Sequence, residues 1–131
     1  MKEIARTQHW IVTLDDAQRI VRATRTPIPF ANDDELRATM ALLREQSIGD
    51  RAKLGLLVDL REGPFRNDES FENALARYRV ELFAGWGALA TILRTAIGRL
   101  QVNRLAREDR REMQVFTEEA EALAYLASKL A

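Results

Sequence analysis

The chain has 131 residues, 47% of them hydrophobic, with 20 Lys and Arg balanced by 20 Asp and Glu, and no cysteine. That length suffices for one domain with its own core, and zero net charge excludes a global field that would draw the protein to nucleic acid or an anionic membrane. Without cysteine there is no disulfide, thiolate metal site, iron–sulfur cluster or cysteine nucleophile, which fits a reducing compartment.

The stretch from Met1 to Trp10 is polar and lacks the apolar core of a signal peptide, and no segment approaches the roughly 18 uninterrupted apolar residues of a membrane helix. The expectation is a cytoplasmic protein forming one domain over residues 1–131. His9 is the only histidine, so no histidine pair can ligate a metal, and it is expected to flank the first strand.

Trp10, Val12 and Leu14 alternate with Ile11 and Thr13, and after Asp15-Asp16-Ala17 a second run from Gln18 to Thr24 carries Ile20 and Val21. This pattern predicts a hairpin whose Asp-rich turn bonds its own backbone. Arg19, Arg22 and Arg25 are expected to guard an exposed edge of it. Asn32 and Glu35 have the spacing of a capping box, and Leu36, Met40 and Leu43 form the apolar stripe of the helix it opens. Ser47 to Asp50, with Gly49, supplies the stop.

Leu54-Gly55-Leu56-Leu57-Val58-Asp59-Leu60 is a continuous apolar run closed by the Gly63-Pro64 breaker, the pattern of a strand buried on both faces in mid-sheet. The loop at its carboxyl end is then the place to look for function. Asp59 has no nucleophile or second titrating partner in sequence reach, so it is expected to accept from loop backbone N–H groups rather than act as a base. Phe71, Leu75, Tyr78 and Leu82 share one side of a helix predicted over Glu69 to Phe83.

Gly85-Trp86-Gly87 breaks that helix, with Trp86 either a core plug or a contact residue, and Ala88 to Leu93 forms a second buried strand. Strand, helix and strand at this spacing make a right-handed crossover and a parallel pair. Thr95 caps a third helix, about Ala96 to Arg107, containing Ile97, Leu100, Val102 and Leu105. A short strand follows from Met113 to Phe116. Thr117 is then expected to cap a last helix with Leu123, Leu126 and Leu130 on one face and Glu118 and Glu119 in its first turn. The predicted fold class is α/β: a mixed four- to five-stranded sheet with an N-terminal antiparallel hairpin and about four helices.

Two helix starts attract attention. Asn67, Asp68 and Ser70 form either a regulatory surface or an ordinary cap with a solvated first turn. Arg94, Thr95 and Arg99 surround free N–H groups and either hold an anion or simply cap and solvate the helix. Arginines 94, 99, 104, 107, 110 and 111 are offset by Glu108, Asp109 and Glu112 and have no interleaved aromatic residue, so a solvated face is expected there, not a nucleic-acid surface.

Leu56 to Leu60 before the loop, Arg94-Thr95-Ala96-Ile97-Gly98-Arg99, and the ending Val115 to Leu126 together resemble the STAS domain of bacterial anti-sigma-factor antagonists. More closely, the chain looks like the SpoIIAA-like group of small single-domain bacterial proteins, a resemblance spanning about residues 8 to 128. In the antagonists, a serine of an Asp-Ser-Ser-Gly-Leu motif at the start of the following helix is phosphorylated by a partner kinase. Here that stretch reads Asn67-Asp68-Glu69-Ser70-Phe71, without the paired serines or the glycine. Ser70 is the one candidate phosphoacceptor, and Asp68 and Glu69 put fixed negative charge where a phosphate would.

The resemblance implies a non-catalytic regulatory or protein-interaction module with no cofactor and no metal. Its surface would comprise Phe65, Asn67, Asp68, Glu69, Ser70, Arg94 and Thr95. The implied partner is a regulatory protein such as a kinase-like anti-sigma factor, with neither nucleic acid nor membrane involved and homodimerisation left open. The alternative is a small-ligand binder for a lipid or anionic metabolite, with Phe65, Tyr78, Phe83 and Trp86 lining a pocket between sheet and helices and Arg94 meeting an anionic head group.

Overall fold

The computed structural model describes residues 1–46 and 48–131. Its strands are β1 (Lys2–Arg6), β2 (Trp10–Asp15), β3 (Ile20–Arg25), β4 (Gly55–Asp59), β5 (Ala88–Ile92) and β6 (Gln114–Phe116). Its helices are α1 (Asp33–Arg44), α2 (Glu69–Leu82), α3 (Ala96–Glu108) and α4 (Glu119–Leu130). All strands join one sheet in chain order, antiparallel from β1 to β3 and parallel from β3 to β6. Among the described residues no helix is long and apolar enough to cross a membrane.

The sheet has six strands rather than the expected four or five. The addition is β1, whose Lys-Glu-Ile-Ala-Arg sequence shows no apolar alternation; it is an edge strand held to β2 by backbone pairing, with a register shift between Glu3 and Ala5. Edge protection therefore falls to Lys2, Glu3, Arg6 and that irregularity. The expectation that Arg22 and Arg25 guard an edge fails, because β3 lies between β2 and β4 and Arg25 is buried. Asp15 does organise the hairpin turn, accepting from the Gln18 backbone N–H at 3.1 Å.

β4 is in mid-sheet, as its apolar run requires, and the two-residue period of a strand divides it between two cores. Leu56 and Val58 join Val12, Val21 and Leu89 on a front face covered by Leu36, Met40 and Leu43 of α1 and Ala74 of α2. Leu57 joins Ile20, Ala88, Ala90 and Ile92 on the back face, where Ala122 and Leu126 of α4 pack. Right-handed crossovers between strands laid down in chain order put α1, α2 and α3 on the front, which leaves only α4 for the back.

The capping chemistry largely follows expectation. Asn32 Oδ1 accepts from the Glu35 N–H (2.8 Å), Asp68 Oδ2 from that of Phe71 (3.1 Å) and Thr95 Oγ1 from that of Gly98 (3.0 Å). The capping box is displaced by one residue, since the Glu35 carboxylate accepts from Ala31 rather than Asn32. Thr117 does not cap α4: the cap position is Glu118, without a side-chain bond, and Glu119 instead anchors the helix start by pairing with Arg22 and Arg61. In the predicted stop after α1, Ser47 lies outside the described residues, while Gly49 adopts φ +96° and Asp50 caps a single 3-10 turn, Arg51–Lys53.

On α3, Val102 and Leu105 face inward, but Ile97 and Leu100 are 61% and 69% exposed. The contrast with Leu57, which is fully buried, sets an expectation for stability. Leu57→Ala lowers the unfolding free energy by about 3 kcal/mol, whereas Leu100→Ala stays within about 0.5 kcal/mol of wild type; urea denaturation of both variants checks this.

Candidate functional site

α2 and α3 run side by side in the same direction across the front of the sheet, joined by polar contacts along their length. Near the amino end of α2, Glu72 accepts from Arg104 Nη2 (2.6 Å) and Gln101 Nε2 (3.2 Å) in the middle of α3, and Gln101 also donates to the Arg66 carbonyl (2.6 Å). Further along, Arg79 forms a bidentate pair with Asp109 at 2.7 and 2.9 Å, with both side chains buried. At the carboxyl end of α2, Arg111 donates to the Val80 and Phe83 carbonyls. The hydrogen bond from Arg104 holds the Glu72 carboxyl below the ordinary range, against the opposing effect of burial.

Beneath this roof lies a cavity of about 280 Å³. Its floor is the front of the sheet, including Val21, Leu56, Val58 and Thr91, and its roof includes Phe71, Leu75, Val102 and Leu105. Facing this space, Phe71, Leu75 and Leu82 of the α2 stripe are only half-buried. Among the lining residues, Pro64, Phe65, Arg94 and Thr95 are the exposed ones, so the cavity opens at the carboxyl edge of the parallel strands, beside the loop after β4. That is where an open α/β sheet ordinarily receives a ligand.

Arg25 also lines the cavity. Its Nη1 donates to the carbonyls of His9 (3.2 Å), Thr26 (2.7 Å) and Ile28 (2.8 Å), and its guanidinium lies 4.6 Å from the centroid of Phe30. Burial pushes its pKa down to about 10. His9 does more than flank β2: it is buried, stacked on Phe30 at 4.2 Å, with Nδ1 3.1 Å from Thr39 Oγ1 of α1. Its Nε2 lies 2.8 Å from Glu35 Oε1 without making a hydrogen bond, so that contact is electrostatic and poorly aligned.

On the back of the same edge, Asp59 accepts from the Arg61 backbone N–H (3.1 Å) and from Arg61 Nε and Nη2 (3.0 and 2.8 Å). Arg61 Nη2 continues to Glu119 (3.0 Å), and Arg22 also pairs with Glu119. Burial alone would raise the Asp59 carboxyl, but the hydrogen bonds from Arg61 and the charges of Arg61 and Arg22 outweigh it and hold the pKa below 3.8. This network ties the end of β4 to the start of α4.

The structure gathers only part of the predicted surface. Phe65, Arg94 and Thr95 meet at the cavity mouth, but Arg94 is paired with Glu62 (2.8 Å) and Thr95 is occupied as a cap. Asn67 and Glu69 are exposed, Asp68 caps α2 and pairs with Arg66 (2.7 Å), and Ser70 turns toward α1 to donate to Asp33. Asp68 is held at about pKa 2, chiefly by its hydrogen bond from Arg66. Of the aromatics expected to line a pocket, Phe65 and Phe83 do so. Trp86 is instead a plug whose Nε1 donates to the Leu82 carbonyl (2.8 Å) under Arg51, and Tyr78 packs beneath Arg44.

The residues missed from sequence are Arg25, Arg79, Asp109 and Arg111. A charged side chain normally reads as solvated, and their one local signal is that Arg25 and Arg79 fall on the inward face of their elements. Among the described residues, no group of three or more His, Asp or Glu is placed to hold a metal ion. No known family model, curated protein or solved structure matches the chain.

A carboxyl whose folded pKa is depressed stabilises the fold above its ordinary pKa, and that contribution is lost as pH falls through the lower folded value. Asp59→Asn is therefore expected to lose about 2 kcal/mol at neutral pH and to show a shallower fall in Tm below pH 3.8 than wild type, as followed by circular dichroism.

Proposed function

We propose that the protein binds a small, largely apolar molecule between the front of its sheet and the α2–α3 roof. The cavity itself carries this reading: about 280 Å³ of space under apolar walls, open at the strand edge where ligands enter such sheets. At roughly 30 Å³ per water-sized group, it accommodates on the order of ten heavy atoms. It has the composition of a ligand site, mostly hydrophobic and aromatic side chains with a few placed polar groups.

The same edge supports a second reading, a non-catalytic regulatory module of the STAS type that engages a protein partner. What favours it is the exposed apolar set of Phe65 in the loop with Ile97 and Leu100 on the neighbouring helix. Gln101 and Arg104, on the same stripe of α3 as Ile97 and Leu100, contact Arg66 and Glu72, so this side of α3 faces the loop that carries Phe65. A phosphate on Ser70 would stand against the Asp33 carboxylate, so in this reading the acidic helix start acts without a phosphorylation switch.

Titration with 1-decanol separates the readings. The cavity reading expects saturable binding, with Kd on the order of 100 µM, that Ala106→Phe abolishes by filling the space without lowering Tm. Absence of saturable binding by calorimetry, together with a bare mass for freshly purified protein in native mass spectrometry, overturns it. A partner retained by both wild type and Ala106→Phe but lost on Phe65→Ser supports the surface reading instead.

A further inference from the structure

Resting on the cavity reading, we propose that Arg25 is the anion-recognition residue of the cavity and that the ligand is an amphiphile with a carboxylate lying against the Arg25 guanidinium. The site is defined by elimination among the arginines that line the cavity. Arg61 is paired with Asp59 and Glu119, Arg66 with Asp68, Arg79 with Asp109, and Arg94 with Glu62. Arg111 has carbonyl partners only, but these are the last carbonyls of α2, where the helix dipole supplies negative charge, and its free Nε is shut inside the packing.

Arg25 differs from all of them. It is 6% exposed and has no carboxylate partner among the described residues, and all of its hydrogen bonds leave from Nη1. Among the described residues Nε and Nη2 have no acceptor, yet neither is among the partnerless atoms sealed off from surrounding space. A buried guanidinium without a counter-charge is costly, and burial already pulls its pKa down to about 10. A carboxylate has the charge and the paired oxygens to accept from those two nitrogens.

The surroundings locate the head group. The loop after β4 crosses the Arg25 stem so closely that a Cβ on Gly63 would lie 2.5 Å from Arg25 Cγ, which places Arg25 just inside the mouth formed by Pro64 and Phe65. Trp10, directly opposite Arg25 across β2 and β3, lines the cavity beside it, but its Nε1 is shut inside the packing like the Arg111 Nε, which leaves Arg25 as the donor at this end. The ligand's carboxylate sits beneath the loop, and its apolar body runs inward between sheet and roof toward Leu82 and Leu105.

Decanoate and 1-decanol share a chain length and differ in the head group, so their affinities at pH 7 test the assignment. Wild type is expected to bind decanoate at least about tenfold more tightly than decanol. In Arg25→Gln that preference disappears while decanol binding is kept. In wild type, the Arg25 Nε–Hε resonance, assigned by its loss in Arg25→Lys, shifts on adding decanoate and not on adding decanol. Equal affinities for the two ligands in wild type, or a preference that survives Arg25→Gln, overturn the inference and leave Arg25 as a clamp on the residue 26–28 carbonyls, with the cavity reading intact. If neither ligand binds, the cavity reading fails and this inference fails with it. Should Arg25→Gln not fold, the wild-type affinity ratio and the Hε shift decide the matter alone.

Discussion

The spacing between the sheet and its front helices depends on the polar links between α2 and α3. Apolar walls favour collapse: at about 24 cal/mol per Å³, closing a space of 280 Å³ would recover on the order of 7 kcal/mol, comparable to the whole stability of a small domain. The links oppose collapse through geometry more than strength. Glu72 with Arg104, Arg79 with Asp109, and Arg111 with the end of α2 lie at three heights along parallel helices. Lowering α2 alone breaks all three. Lowering both helices carries the Arg79–Asp109 pair, whose Arg79 Nη1 is already without an acceptor among the described residues, deeper into an apolar layer, at a cost of several kcal/mol per ion.

The back of the sheet follows the opposite principle. Ala88 and Ala90 keep the surface of β5 shallow, and α4 settles directly on it through Ala122 and Leu126. Alternation within one strand then separates two mechanical roles: Leu57 belongs to the closed layer, and its neighbours Leu56 and Val58 belong to the floor of the open one. The Asp59, Arg61, Arg22 and Glu119 network fixes the edge between them, so the loop that begins at Leu60 leaves from a rigid base.

How much of this was legible in the sequence depends on the signal each element carries. β4, β5, the α1 stripe and the Thr95 cap were readable because burial on both faces, helical period and side-chain capping are local patterns, whereas the cap of α2 was legible only as an alternative shared between Asn67 and Asp68. β1 was not, since an edge strand held by backbone pairing needs no apolar alternation. The α2 stripe of Phe71, Leu75 and Leu82 was correctly placed on one face, but periodicity does not distinguish a face pressed on a sheet from one held above it. That difference is made by Arg79, Arg104 and Asp109, whose partners lie 30 or more residues away. Arg25 was misread for a related reason: its meaning follows from β3 being interior, which is a property of the whole sheet.

The distribution of weak and strong contacts also assigns different freedoms to mouth and roof. The loop after β4 is fastened to α3 by the exposed Glu62–Arg94 pair and by Gln101 reaching the Arg66 carbonyl. An exposed pair is worth at most about 1 kcal/mol. The roof is fastened on both sides: to α3 by the buried Arg79–Asp109 pair, and to α1 by Asp33 with Ser70 and by Arg44 with both Glu81 and Tyr78. Displacing Pro64 and Phe65 thus disturbs few contacts, while lifting α2 disturbs many. On the ligand-binding reading proposed above, a molecule entering this space would meet its lowest barrier at the loop, beside Arg25, and would rest against walls that do not need to move.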